Sequence, residues 1–210
     1  MDPGIIAVVG VASIAVMTAA HLVARRRRPT PFPARLAPLL SAPWRSWFSP
    51  AVAAQRHGLA PGHAALEIGP GNGYLTRAAL TAIGPKGMLF CLDIQLAMLR
   101  KLRARLGDEA PPLVCANGAS LPFHAGSFDR IYMSHVLGEI PNRVAALAEC
   151  ARVLREDGIL AVTEGLPDPD FISRGALIRE ARANGLGPLM HYGRSLFYTQ
   201  RFGLHRRVPS

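Results

Sequence analysis

The sequence predicts an α/β domain built on a doubly wound, mostly parallel sheet. Apolar runs of strand length alternate with amphipathic runs of helix length from Ala64 onward. That order puts helices on both faces of parallel strands. The first apolar run ends on a bare glycine turn, LEIGPGNGYLT, Leu66 to Thr76. The second ends on an acid, Asp93. A ligand of such a sheet lies at the carboxyl ends of the strands, where the chain order reverses.

Taken in order, the runs predict strands over Ala64–Ile68, Met88–Asp93, Pro112–Ala116, Phe128–Met133 and Ile159–Thr163. The spacing predicts helices over Tyr74–Ile83, Gln95–Leu106, Arg143–Leu154 and Phe171–Asn184. Gln95–Leu106 is the clearest, with Leu96, Leu99, Leu102 and Leu106 on one face and Arg or Lys opposite. GPKG (residues 84–87) is a turn, and EDG (156–158) closes the helix before it. The tail 185–207 divides into two extended segments about a break at Tyr192–Arg194.

The first 48 residues have a different character. Gly4 to Ala24 is an apolar run of 21 residues, long enough to cross a hydrocarbon core of about 30 Å as a helix. Arg25–Arg28 follows at once, which is the reverse of a secretory leader's charge order. The expectation is a single uncleaved transmembrane anchor over residues 1–28, with the arginines and everything after them cytoplasmic. Prolines 29, 31, 33, 38 and 43 then make residues 29–48 a stiff spacer, and the globular domain occupies 49–210. Trp44, Trp47 and Phe48 close the spacer. Two readings stand for them: rest on the lipid interface or the mouth of a site, or packing on the domain.

Of 210 residues half are hydrophobic, and the formal charge is +10, carried almost wholly by arginine. With no aromatic-basic stripe and no reading helix, a nucleic-acid partner is not expected. Cys91, Cys115 and Cys150 stand far apart, without metal-ligand spacing, and read as reduced core cysteines; no metal is expected.

The glycines narrow the nucleotide. A dinucleotide site needs G-x-G-x-x-G, but here the spacing is G-x-G-x-G and Tyr74 takes the place of the late glycine. A P-loop needs a lysine that is absent. Asp93 lies at the separation of a ribose-binding acid, about 20 residues after the turn. Glu67, just before the glycines, would repel phosphates but would tolerate a ligand bearing an ammonium and a sulfonium.

Five ordered motifs, LEIGPGNG, CLDIQ, NGASLPFHAGSFDRIY, VLGEIPNR and ARVLREDGILAVTE, resemble class I S-adenosylmethionine-dependent methyltransferases, in particular the ubiquinone and menaquinone C-methyltransferase group. The resemblance implies a Rossmann-like sheet of seven strands, the last antiparallel. It implies that Gly69, Gly71 and Gly73 admit the cofactor to the backbone and that Glu67 helps place its amino group. Asp93 would hold the ribose hydroxyls, with an N-cap to the next helix as the alternative; Ile94 would lie on the adenine face. Asn117 stands where the family often has Asp, so its contact to the adenine amino group would lack charge. Ser134 and His135 would face the sulfonium region.

His135 and Glu164 are the candidate catalytic groups, should the acceptor need to lose a proton. Glu139 reads equally as a site acid or a first-turn helix residue. Asp168 and Asp170 could hold a cation or cap a loop, and the capped loop is preferred. The expected activity is methyl transfer at a membrane to a small, lipid-soluble or amphipathic acceptor. The competing expectation is a non-catalytic binder of S-adenosylmethionine or a membrane scaffold. A nicotinamide-dependent oxidoreductase is disfavoured by the glycine spacing.

Overall fold

The computed structural model describes residues 31, 33, 49–166 and 168–205. The anchor, Arg25–Arg28 and the Trp44, Trp47 and Phe48 cluster lie outside the described residues. Among the described residues no helix is long and apolar enough to cross a membrane.

Seven strands make one sheet: β1 (Ala64–Ile68), β2 (Met88–Asp93), β3 (Leu113–Cys115), β4 (Phe128–Ser134), β5 (Leu154–Gly165), β6 (Leu186–Arg194) and β7 (Phe197–Leu204). Their order is β3-β2-β1-β4-β5-β7-β6. The first five run parallel, and β7 is antiparallel to both β5 and β6. Chain order reverses between β1 and β4, so the ligand crevice belongs at the carboxyl ends of those two strands.

Five α-helices cover the sheet among the described residues: α1 (Pro50–His57), α2 (Thr76–Ile83), α3 (Leu96–Leu106), α4 (Arg143–Val153) and α5 (Arg174–Ala183). Strand alternation sorts side chains between two layers. Ala65 of β1 joins Ala79, Ile83, Cys91, Leu102 and Tyr132 on one face. Leu66 and Ile68 join Met133, Leu147, Val162 and Phe202 on the other. Central strands buried on both faces explain why these runs read as continuously apolar.

Several boundaries differ from the expectation. α4 stops at Val153, and residues 154–158 already belong to β5, where Leu154 pairs with Phe128 across a register shift. EDG is therefore part of the strand and not a helix stop. α5 starts at Arg174 because Ser173 caps it, accepting from the Ala176 N–H. The hairpin turn falls at 195–196, just after the expected break at Tyr192–Arg194, which belongs to β6. Cys115 is exposed; only Cys91 and Cys150 are core cysteines, and all three are free thiols.

α1 was not expected. Its end is marked by Gly58 at φ +77°, whose N–H bonds back to the Gln55 carbonyl. The guanidinium of Arg201 donates to the Gln55 and Arg56 carbonyls, and that of Arg130 to the Gly58 carbonyl. Two cations thus satisfy the negative end of a short helix and fix it against β4 and β7.

Candidate active site

The glycine turn leaves β1 with three residues in the left-handed region: Gly69 at φ +69°, Gly71 at +57° and Gly73 at +81°. A side chain at Gly69 would also run into Val136 on the β4 side of the crevice. The conformation and the close approach together demand glycine there. The Gly69 N–H donates to the Leu92 carbonyl at 2.8 Å, which ties the turn to the end of β2.

Asp93 closes β2 beside that turn and is 8% exposed. Its Oδ1 accepts the Gln95 N–H at 2.8 Å, which holds the chain as it enters α3. Burial pushes its carboxyl above the usual range, against backbone N–H donors from Gln95, Gly71 and Ile94. Ile94 is 54% exposed, an unusual state for isoleucine and a ready platform for a flat ring. Asn117, one strand over, accepts the Ala119 N–H on its Oδ1 at 2.9 Å. Its exposed side chain therefore holds the loop after β3.

Glu67 is 3% exposed in the layer of Cys91 and Tyr132. Its Oε2 accepts from Thr76 Oγ1 at 2.7 Å and from Cys91 Sγ at 3.5 Å. Burial, opposed by these donors, raises its carboxyl to about 7. The acid thus braces the first turn of α2, directly behind the glycines.

Ser134 ends β4 with Oγ 3.4 Å from Nε2 of His57, a residue absent from the sequence-derived site. His135 follows at φ +57°, the single non-glycine with positive φ among the described residues. Its N–H donates to the Thr163 carbonyl at 2.9 Å, and its ring lies 5.7 Å from that of Phe197. Glu164 is 1% exposed. Its Oε2 accepts the Ile172 N–H at 3.4 Å, and Oε1 is buried without a hydrogen-bond partner. Burial first, then the charge of Asp168, raises it to about 8. His135 and Glu164 therefore sit at neighbouring strand ends with different surroundings, His135 beside Phe197 and Glu164 at the Ile172 N–H. Glu139 ends a 3-10 turn, and Asp168 Oδ1 accepts the Asp170 N–H at 2.9 Å, the capped loop.

Known proteins share parts of this sequence and fold. Residues 66–162 match the family described as Methyltransferase domain. The matched segment, which runs from within β1 to within β5, is similar to a methyltransferase domain. The chain is 38% identical over 112 residues to the ubiquinone/menaquinone biosynthesis C-methyltransferase UbiE of Bordetella parapertussis, covering 52% of this chain and 43% of the relative. It is 39% identical over 107 residues to the protein of the same name from Burkholderia vietnamiensis, covering 50% and 44%. The chain thus spans less than half the length of these curated relatives. The fold superposes on the crystal structure of a SAM dependent methyltransferase from Aquifex aeolicus with a TM-score of 0.74, at 19% identity, over 82% of this chain and 98% of that one.

S-adenosylmethionine is the cofactor of this domain class, and the residues fit it. The glycine cradle has no room for a Cβ at Gly69, and the Asp93 carboxyl closes β2 beside the exposed side chain of Ile94. Sequence reasoning missed His57, which sits in a helix of only eight residues whose buried stripe is two alanines and the histidine itself. Pro50 at its first turn and Gly58 past its end were the available signals.

Proposed function

We propose that the protein is an S-adenosylmethionine-dependent methyltransferase, held at a membrane by residues 1–28 with its catalytic domain on the cytoplasmic side. Its acceptor is a small lipid-soluble or amphipathic molecule. The observation that carries the reading is the positive-φ glycine turn set against the Asp93 carboxyl at the point where strand order reverses. The quinone C-methyltransferase names of the curated relatives favour a quinone-like ring as acceptor.

In this reading Asp93 accepts from the ribose hydroxyls, Ile94 packs on the adenine, and Asn117 borders its amino edge. Gly69, Gly71 and Gly73 bring backbone close to the methionyl part, with Glu67 behind them and Ser134 beside them. Bound there, S-adenosylmethionine supplies a methyl carbon made electrophilic by its sulfonium. What the chain adds is alignment in a dry crevice. His135, at the end of β4, is the group able to take an acceptor proton; Glu164, at the end of β5, becomes a base only once it has released its own proton, at about 8.

Calorimetry on the full chain in detergent micelles tests this, with S-adenosylmethionine, its demethylated product and NAD as titrants. The first two should bind in the micromolar range and NAD should not. Asp93→Ala should weaken both by roughly ten- to a hundredfold, the worth of hydrogen bonds to a charged group. Binding without turnover on any membrane-extract acceptor would leave a cofactor-binding scaffold, and binding of NAD alone would overturn the assignment.

A further inference from the structure

His57 is almost fully buried, at 1% exposure, and its ring stacks on Tyr132 with centroids 4.7 Å apart and 20° between planes. Its Nε2 lies 3.1 Å from Thr163 Oγ1 and 3.4 Å from Ser134 Oγ. Ser134 and Thr163 are register partners across β4 and β5, and Thr163 and Thr199 across β5 and β7. The two threonine hydroxyls are 2.9 Å apart. Three hydroxyls therefore form a row across three strands, and one imidazole nitrogen joins two of them. The neighbouring row on the same face is Cys91, Glu67 and Tyr132, also in register.

A core needing only bulk here would take a leucine. A buried polar row is costly unless each member is satisfied, and satisfied networks fix one arrangement of their members. Burial, aided by the nearby Arg201 charge, holds the imidazole neutral, down to about 3, so the ring serves as a fixed hydrogen-bonding group and not as a titrating one.

We infer that His57 is a positioning residue of the cofactor site: it orients the Ser134 hydroxyl at the carboxyl end of β4 and so couples α1 to the crevice. The inference rests on the proposed function, in which Ser134 borders the methionyl part. Its consequence is that α1, clamped by Arg130 and Arg201, is a structural piece of the site. It is also the first helix after the spacer that leads from the proposed anchor.

The test is a double-mutant cycle in the full chain, with S-adenosylmethionine and its demethylated product as probes and the melting temperature measured alongside. His57→Leu should weaken binding by roughly tenfold, and Ser134→Ala by a similar factor. The double variant should be no weaker than the worse single, because both remove one interaction. His57→Gln, which keeps a polar atom within reach of the row, should recover most of the affinity and guards against a Leu variant that does not fold. A folded His57→Leu with a lowered melting temperature and wild-type affinity would overturn the inference, and so would a folded His57→Gln that binds as weakly as Ser134→Ala. So would losses that simply multiply in the double variant. Failure of the wild type itself to bind either probe would instead overturn the proposed function, and this inference with it.

Discussion

His135 holds a backbone conformation, φ +57°, that costs a residue with a Cβ about 1 kcal/mol relative to glycine. The strand before it and the loop after it impose that turn, since its N–H is fixed on the Thr163 carbonyl. His135→Gly should therefore be more stable than His135→Ala by about 1 kcal/mol in urea unfolding, a comparison in which both variants lack the ring. Equal stability would mean that the backbone there relaxes. Glu164 gives a second test at this scale. Its carboxyl lies near 4.5 in the unfolded chain and about 8 in the folded one. The native state then holds a proton that the unfolded state has released, so stability falls as pH climbs from about 4.5 to 8. Glu164→Gln removes that loss, so its stability relative to wild type should rise by about 1 kcal/mol or more between pH 5 and pH 8. A gap independent of pH would show that Glu164 ionises normally. Asp93, Glu67 and the three glycines could be picked out in the sequence because each breaks an apolar run at a defined offset. The burial of Glu164 and the strain at His135 could not, because both depend on how distant segments close over them.

At the scale of elements, the same division holds. β1, β2 and α3 match their predicted spans to within a residue, since their periodicity is strong and glycine turns bound them. β5 begins five residues earlier than predicted because Leu154 finds a partner in Phe128, and no local signal carries that pairing. α1 has one short buried stripe, Ala53, Ala54 and His57, and small residues give almost no periodic contrast. Its existence follows instead from what receives it, the guanidinium groups of Arg130 and Arg201. The end of β3 offers a test of the crevice. Cys115 pairs with Asp93 in register, its thiol lies 3.7 Å from the Ile94 carbonyl oxygen, and it is the exposed cysteine of the three. Cys91 and Cys150 are buried, and burial raises both thiols well above the usual range, so maleimide should react at one site per chain. If adenine rests between Ile94 and Asn117, saturating S-adenosylmethionine should slow that reaction several-fold, read by intact-mass spectrometry. An unchanged rate would place the ring elsewhere.

For the whole molecule, the question is what a net charge of +10 and an apolar run of 21 residues do together. An exposed basic surface alone would hold the chain on anionic lipid through counterions, and that hold weakens as the Debye length shrinks to about 3 Å in 1 M salt. A helix spanning the bilayer is indifferent to salt, because the hydrophobic effect and the backbone's need for internal hydrogen bonds keep it there. The two modes separate by extraction. The full chain should stay in the membrane pellet through 1 M salt and alkaline carbonate, and detergent alone should release it. Removing residues 1–28 should move the protein to the supernatant while its affinity for S-adenosylmethionine stays within about twofold, since every residue assigned to the cofactor lies between Glu67 and Ser134. Release of the full chain by carbonate would reduce the anchor to a surface contact. A lost affinity on truncation would mean instead that the amino-terminal segment acts on the crevice, and α1, whose His57 reaches Ser134, is the element through which it would do so.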